Sequence, residues 1–205
     1  MNDICRHTPF ASLLVVALAA TAAAPAQAAE TTYKIDPEHT YPSFEADHMG
    51  LSLWRGKFNR TEGSIALDKA AGTGSVDVRI DVTSVDFGLE KLNAAAQGKE
   101  LFDSASHPQA SYRGRLQAFA DGKPGEVVGD FTLHGVTRPL TLKILTLKCV
   151  PHPVFKREVC GADAEGSFQR DAYGMTAGKE YGFDMTVKLR IQVEAIAEPS
   201  AAKSS

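Results

Sequence analysis

Five histidines follow residue 30, and they are the side chains best suited to bind a metal or act as a general base. No two of them have H-x-x-x-H or H-E-x-x-H spacing, and none lies in a segment with helical periodicity. We interpret each one as a turn or strand-end residue rather than a ligand. A zinc site assembled from separate strands remains open as an alternative. The five are His39, His48, His107, His134 and His152.

His134 lies in the stretch GDFTLHGVTRPLTL, residues 129–142, between two runs that alternate apolar and polar residues. Exactly two residues, His134 and Gly135, separate those runs. Two-residue hairpins need positive φ at the centre, which glycine adopts freely and histidine tolerates. The pattern therefore predicts that His134 is the corner of a hairpin, with a solvated side chain, and is neither a base nor a ligand.

Other signs of catalysis are absent from the sequence. There is no G-x-S-x-G, P-loop, S-x-x-K or dinucleotide fingerprint. Carboxylates on the strand-like segments alternate outward, where solvent is the expected partner, and Asp81 and Asp86 are better placed to cap the following segment. We predict no catalytic residue, no metal ligand and no cofactor, and therefore a protein that is not an enzyme.

Composition limits the classes of partner. Hydrophobic residues make up 43 % and charged residues 23 % of the 205 residues, and the formal net charge is −3. These values are typical of a globular protein with enough apolar material for a core. Basic residues are not clustered or interleaved with aromatic ones, so the sequence excludes a nucleic-acid partner.

The first 28 residues have the features of a signal peptide. Arg6 precedes an apolar run at 10–20, and an A-x-A cleavage motif occupies 26–28. The apolar run is short for a membrane span. We therefore expect residues 1–28 to be removed and the mature protein to be periplasmic.

Two cysteines remain after residue 28, Cys149 and Cys160. Cysteines of exported proteins usually pair. Their spacing is neither C-x-x-C nor a usual zinc spacing, which favours a structural disulfide over a redox pair or half a metal site. The segment between them, with two prolines and a basic patch, is typical of a loop.

Alternation with period two predicts strands along most of the chain. One segment, 88–98, has the i, i+3, i+7 apolar spacing of a short helix. The predicted strands are 31–36, 41–48, 54–59, 62–68, 76–82, 109–119, 126–133, 139–144, 164–170 and 183–193.

These elements predict one antiparallel domain of eight or nine strands with a short helix inserted. Strands that are apolar on one face can stack as a sandwich or close as a barrel. The length of the last strand favours a barrel, because closure removes the exposed edges of long strands. The small, polar tail at 196–205 is expected to be disordered.

Four ordered blocks of the sequence resemble the YceI-like family of periplasmic lipid-binding proteins. The first contains Asp36, His39, Phe44, His48, Gly56 and Phe58; the others are LFDSASHPQASYR (101–113), GDFTLHGVTRPLTL (129–142) and RDAYGM (170–175). Leu101 and His107 stand where the family pattern has aromatic residues. The segment 149–160 looks like a subgroup feature that would alter one rim of a barrel.

The resemblance implies an extended eight-stranded antiparallel lipocalin-like barrel over residues 29–195, enclosing an apolar tunnel. It also implies a long-chain isoprenoid or other amphiphilic lipid as ligand, and a role in isoprenoid-quinone metabolism, transport or storage. Transient contact with a membrane and the oligomeric state are left open.

Alternation shows that one face of the strands is apolar, but it does not distinguish a tunnel from a filled core. A secreted, stress-related structural module with a filled core therefore remains an alternative. So does a lipid-modifying or metal-dependent enzyme. The ligand-binding candidates on the strands are Phe44, Phe58, Val76, Val78, Ile80, Phe131, Leu133, Phe183, Met185, Val187 and Leu189. Candidate lids are formed by Met49, Leu53, Trp54, Leu89 and Leu92.

Overall fold

The computed structural model describes residues 30–199, and the predicted signal peptide and the end of the predicted tail lie outside them. Eleven strands and one α-helix make up the fold. They are β1 (Thr31–Ile35), β2 (Tyr41–His48), β3 (Ser52–Phe58), β4 (Thr61–Asp68), β5 (Thr73–Asp81), β6 (Val85–Asp86), α1 (Glu90–Ala96), β7 (Gln109–Gln117), β8 (Glu126–Leu133), β9 (Val136–Pro151), β10 (Glu158–Gln169) and β11 (Thr186–Ala197). Within residues 30–199, no helix is long and apolar enough to cross a membrane.

The eleven strands form eight long staves of a closed antiparallel barrel. β1 and β2 both pair with β11, so together they form one stave that is interrupted at residues 36–40. β3 and β4 form a second interrupted stave, because β3 pairs with β2 and β4 pairs with β1. β5 and β6 form a third, because β5 pairs with β4 and β6 pairs with β3. The remaining staves are β7 to β11, each paired with its neighbour in sequence. Pairing of β1 with β11 closes the ring.

The two ends of the barrel differ. At one end, which we call the helix end, lie α1, the β8–β9 turn and the connection from β10 to β11. At the other, the disulfide end, lie the β4–β5, β7–β8 and β9–β10 connections. Up-and-down topology requires this arrangement, because consecutive connections must alternate between ends.

The structure confirms the all-β barrel with one short helix and also shifts several predicted boundaries. β9 runs from Val136 to Pro151, well beyond the predicted 139–144. β11 begins at Thr186 rather than at residue 183, and it continues to Ala197, two residues into the predicted tail. Its register is set by the full length of β10, which pairs with it from Gln169 to Val159.

Cys149 and Cys160 form the predicted disulfide, but the segment between them is not simply a loop. The two cysteines are directly opposite each other on β9 and β10, and strand pairing continues beyond them to Pro151 and Glu158. Only residues 152–157 connect the two strands. The prolines and the basic patch suggested that the whole segment is a loop. Pro151 instead occupies the last position of β9, where proline is tolerated. The bridge is consistent with an exported protein.

The Tyr112 hydroxyl is a buried group of the inner wall with a structural role. The Tyr112 hydroxyl on β7 lies 3.0 Å from the carbonyl oxygen of Val127 on β8 and 2.9 Å from that of Leu140 on β9, and it can donate to either. Burial, with the nearby Asp130 carboxylate, raises the pKa of Tyr112. The folded barrel therefore favours the neutral phenol, which links three neighbouring strands.

Loss of the disulfide should weaken the barrel without changing its topology. In the double variant Cys149→Ser/Cys160→Ser we expect the free energy of unfolding to fall by about 2–4 kcal/mol, because the bridge restricts the unfolded chain. Urea unfolding followed by circular dichroism measures this. Reductant should shift the wild-type midpoint in the same direction and leave the double variant unchanged. An unchanged midpoint for reduced wild-type protein would contradict the prediction.

Candidate functional site

A cavity lies along the axis of the barrel. Its volume is about 170 Å³, and its wall is almost entirely apolar. The wall uses the inward-facing residues of every stave, since alternate residues of a barrel strand face the interior. The lining residues are Tyr33, Ile35, Thr40, Pro42, Ser43, Phe44, Phe58, Thr61, Ile65, Leu67, Val76, Val78, Ile80, Tyr112, Leu116, Pro124, Val127, Phe131, Leu140, Leu142, Ile144, Leu147, Cys160, Ala162, Ala164, Leu189, Ile191, Val193 and Ala195.

Aromatic side chains close the cavity at the helix end. The Phe44 ring lies 5.5 Å from Phe58, 5.4 Å from Phe87 and 6.0 Å from Phe102, measured between ring centroids. On the opposite wall, Phe131 contacts Phe168 and Tyr173 at 5.5 and 5.7 Å. Tilted and edge-on contacts of this kind are favourable for aromatic rings.

Gly56 allows the first of these aromatic clusters to form. A Cβ atom at this position would lie 2.5 Å from Phe44 Cζ and 2.9 Å from Phe87 Cε1. Any larger residue would therefore displace the rings, and the sequence block that contains Gly56 and Phe58 is explained by this packing.

Two threonine hydroxyls in the cavity wall have opposite hydrogen-bonding states. Thr40 Oγ1 lies 3.2 Å from the carbonyl oxygen of Glu194 and accepts from the Glu194 amide at 3.1 Å. Thr61 Oγ1 is buried and has no hydrogen-bond partner within residues 30–199. The Thr61 hydroxyl is therefore free to bind a polar atom of a guest molecule.

The disulfide end of the cavity carries charged groups. The Tyr33 hydroxyl donates to the Glu158 carboxylate, and Lys69 Nζ lies 2.8 Å from the same carboxylate. Burial and the Glu158 contact raise the pKa of Tyr33. Burial opposes ionisation of Glu158, but hydrogen bonds from Lys69 and Tyr33 outweigh it and lower the pKa of Glu158. This end therefore presents a neutral phenol beside an ion pair.

Seven of the sequence-predicted ligand residues line the cavity: Phe44, Phe58, Val76, Val78, Ile80, Phe131 and Leu189. Leu133, Met185 and Val187 are buried outside its wall, toward the helix end. Phe183 is half-buried before β11 begins, and its ring packs edge-on against His48. Phe183 and Met185 precede the true start of β11, where the predicted alternation was extended too far, whereas Leu133 and Val187 are strand residues nearer the helix end.

The predicted lid residues do not line the cavity. Leu53, Trp54, Leu89 and Leu92 line a second, shallower hollow outside the aromatic cluster, together with Phe87. Met49 lies in the β2–β3 turn and is 55 % exposed. Phe44 and Phe87 separate the hollow from the cavity, so a lid role for these residues stays a prediction that requires those rings to move.

Sequence reasoning missed most of the wall supplied by β9 and β10. Leu140, Leu142 and Ile144 follow the same alternation as the chosen strands and could have been included. Ala162 and Ala164 gave no hydrophobic signal of comparable strength, and Leu147 follows a register shift between β9 and β10. Such a shift reverses which residues face inward.

His134 is the corner of a two-residue hairpin, as its sequence predicts. Its φ is 52° and that of Gly135 is 73°, and Leu133 pairs with Val136 across the turn. The expectation of a solvated side chain is wrong. The ring is half-buried, its Nδ1 lies 2.9 Å from the Tyr173 carbonyl oxygen, and its centroid lies 4.8 Å from that of His107.

Potential metal ligands cluster twice within residues 30–199. Asp103, His107 and His134 form one cluster, and Cys149, Glu158 and Cys160 form the other. The sulfurs of the second cluster are joined in the disulfide and offer no thiolate to a metal. The first cluster is built from two connections that are far apart in sequence, which is why local spacing did not reveal it.

Comparisons with known proteins agree on one family. The model of the YceI-like domain matches residues 33–195. Protein YceI of Escherichia coli O157:H7 is 34 % identical over 137 residues, which are 65 % of this chain and 67 % of that protein. A UPF0312 protein of Vibrio parahaemolyticus is 30 % identical over 135 residues, 64 % of this chain and 71 % of the relative.

Solved structures share the fold at lower identity. Burkholderia cenocepacia BcnA superposes with a TM-score of 0.65 at 21 % identity, covering 78 % of this chain and 99 % of that one. A polyisoprenoid binding domain from Saccharophagus degradans, implicated in plant cell wall breakdown, has a TM-score of 0.58 at 19 % identity, covering 81 % and 98 % of the two chains.

The two wall threonines allow a matched test of the cavity. Thr61→Val should raise the free energy of unfolding of lipid-free protein by about 1 kcal/mol, because it removes an unpartnered buried hydroxyl. Thr40→Val should lower it by about 1 kcal/mol, because it breaks a hydrogen-bonded pair. Urea unfolding of delipidated protein compares them. An equal decrease in the free energy of unfolding of both variants would mean that the Thr61 hydroxyl has a hydrogen-bond partner.

Proposed function

The chain belongs to the YceI-like family, and from that premise we propose that it binds a long-chain isoprenoid or similar amphiphilic lipid inside its barrel. The observation that carries the proposal is the axial cavity whose wall, drawn from all eight staves, is almost entirely apolar. Only a hydrocarbon gains from such a wall without leaving polar groups unpaired. The polyisoprenoid binding domain of Saccharophagus degradans, which has the same fold, supports the choice of ligand class.

Energetics favour a ligand of several isoprene units. Burial of hydrocarbon gains about 0.8 kcal/mol per CH₂, so a five-carbon unit contributes roughly 4 kcal/mol. Association costs on the order of 4–15 kcal/mol. One unit would barely bind, whereas several would bind well.

The cavity as it stands is smaller than such a ligand. A cavity of about 150 Å³ in another protein accepts one benzene molecule, and this one measures about 170 Å³. A long chain therefore requires leucine and isoleucine side chains of the wall to change rotamer. Leu116, Leu140, Leu142, Ile144 and Ile191 line the space and can do so without breaking a hydrogen bond.

We place the polar head group of the lipid at the disulfide end. Aromatic rings close the helix end, whereas the wall at the disulfide end leads to Tyr33, Glu158 and Lys69. A hydroxyl or phosphate head group would find a phenol and an ammonium group there, and the hydrocarbon would extend toward Phe44 and Phe58.

The same end has a surface suited to transient membrane contact. The β9–β10 connection, residues 152–157, exposes Val154 at 75 % and Phe155 at 44 %, followed by Lys156 and Arg157. Exposed apolar side chains beside basic ones suit the interface of an anionic membrane. A lipid could then pass between bilayer and barrel at the end where its head group lies.

We propose a binding protein rather than an enzyme, acting in the periplasm in isoprenoid-quinone metabolism, transport or storage. Within residues 30–199 the wall is almost entirely apolar and contains one buried hydroxyl without a hydrogen-bond partner, that of Thr61. A structural module with a filled core is less well supported, because a filled core would leave no continuous axial space.

The proposal is tested with two neighbouring valines of β8. Val127 is 6 % exposed and lines the cavity, whereas Val128 is 37 % exposed on the outer surface. Val127→Phe should occupy the cavity and abolish lipid that co-purifies with the native protein, and Val128→Phe should leave it unchanged. Mass spectrometry of solvent extracts, normalised to protein, measures both.

Stability measurements make the comparison decisive. Overpacking costs about 1–3 kcal/mol, so thermal unfolding must first show that the Val127→Phe variant is folded. If that variant does not fold, Ala164→Phe, which also lies in the cavity wall, is used in its place. Wild-type protein without lipid would contradict the proposal. So would a folded wall variant that retains as much lipid as Val128→Phe.

A further inference from the structure

Three potential ligands meet at the helix end of the barrel, outside the cavity wall. Asp103 and His107 lie in the connection between α1 and β7, and His134 lies in the β8–β9 turn. One ligand atom from each lies within 4.8 Å of those of the other two, and all three residues are half-buried. Strands β7 and β8 separate His134 from the other two residues in the sequence, so the cluster is created by the tertiary fold.

The connection that carries Asp103 and His107 is built as a helical turn. The backbone amides of Ser106 and His107 both donate to the Asp103 carbonyl oxygen, at 3.0 and 2.8 Å. The turn brings a carboxylate oxygen of Asp103 within 4.8 Å of a ring nitrogen of His107. The turn is held by the backbone, which leaves the Asp103 carboxylate oxygens available to a ligand.

His134 is oriented as a metal ligand would be. A carbonyl oxygen can only accept, so Nδ1, which lies 2.9 Å from the Tyr173 oxygen, must carry the proton. In the neutral ring the lone pair then lies on Nε2. Nε2 is buried and has no hydrogen-bond partner within residues 30–199. Histidines that bind metals commonly donate their other N–H to a backbone carbonyl in this way.

Gly135, in the β8–β9 turn, and Gly174, in the β10–β11 connection, make room for the rings of His107 and His134. A Cβ atom on Gly135 would lie 2.8 Å from His107 Cε1, and one on Gly174 would lie 3.4 Å from His134 Nδ1. The positive φ of Gly135 serves the hairpin, but the absence of its side chain also lets the His107 ring lie against the turn.

We propose that Asp103, His107 and His134 bind a divalent transition metal ion, with Zn²⁺ as the best match. Two imidazoles and a carboxylate suit zinc and its neighbours, whereas Mg²⁺ and Ca²⁺ prefer sites made of oxygen ligands. Zinc ligands at about 2.0–2.1 Å lie roughly 3.3 Å apart around a tetrahedral ion, so the ligand atoms, now within 4.8 Å of one another, approach by up to ~1.5 Å. Water fills the fourth position.

The ion would join the α1–β7 connection to the β8–β9 hairpin. Both segments follow or precede strands of the barrel wall, and Phe102, next to Asp103, belongs to the aromatic cluster that closes the cavity. Metal binding would thereby hold this closure in place.

Isothermal titration of the chelator-treated, untagged mature protein with ZnCl₂ tests the site. We expect one zinc ion per chain, with no comparable binding of MgCl₂, and a higher melting temperature with zinc than with chelator. Asp103→Asn and His134→Asn should each weaken zinc binding by at least ~10–100-fold, the loss that even an outer-shell change causes. Asparagine tolerates the positive φ of both positions, 41° and 52°, so the backbone should be preserved.

Two further variants complete the test. His107→Phe removes a ligand but keeps an aromatic ring, and it should also abolish tight binding. His39→Asn is the matched control, because His39 also contacts a carboxylate, that of Asp36 at 2.9 Å, but lies outside the site. Failure of the wild-type protein to bind zinc would overturn the proposal, as would equal losses for His39→Asn and the site variants, or full binding by folded His107→Phe.

Discussion

Closure of the sheet between β1 and β11 is the constraint on which the rest of the structure depends. Tyr33 pairs with Ala197 and Ile35 with Ala195, and this short ladder converts an eight-stave sheet into a ring. Once the ring is closed, its apolar face has nothing to pack against except itself. Whether an axial space remains then depends on side-chain size. Ala162, Ala164 and Ala195 leave room where larger residues would meet across the axis. The cavity therefore follows from closure together with the placement of small residues on β10 and β11.

Most of the barrel could be predicted from the sequence, because period-two alternation reports directly which face of a strand is apolar. Every predicted strand exists, and the short helix occupies Glu90–Ala96 within the predicted 88–98. Errors arose where local signals conflicted with pairing. The prolines near Cys149 suggested a loop, but the partner strand extends β9 to Pro151. Alternation at Phe183 and Met185 continued into a segment that is no longer paired. Alternation alone could not predict the axial cavity, because a periodic pattern contains no information on how side chains meet across a barrel; the expectation of a tunnel came only from the family resemblance.

His134 illustrates the same limit at a single residue. Its local sequence correctly specifies a hairpin corner with positive φ. The position of its ring is decided by residues that are distant in sequence: the Tyr173 carbonyl oxygen, the His107 ring and the Asp103 carboxylate. Asp103 and His107 have a spacing of four, but carboxylate–histidine spacing alone is too common to indicate a site. His134 can be the corner of a hairpin and also a ligand of the proposed metal ion, so the structural and the chemical role do not exclude each other.

The central claim is that the closed barrel holds a hydrocarbon chain between its own walls. The most direct test is a crystal structure of the protein purified without denaturation or added lipid. We expect continuous elongated density along the axis, bounded by Val76, Val127, Leu142 and Ile191 and ending against Phe44 and Phe58, with leucine and isoleucine side chains displaced from their present rotamers. An axis filled by side chains, in protein that still carries lipid by mass spectrometry, would place the lipid elsewhere and contradict the claim.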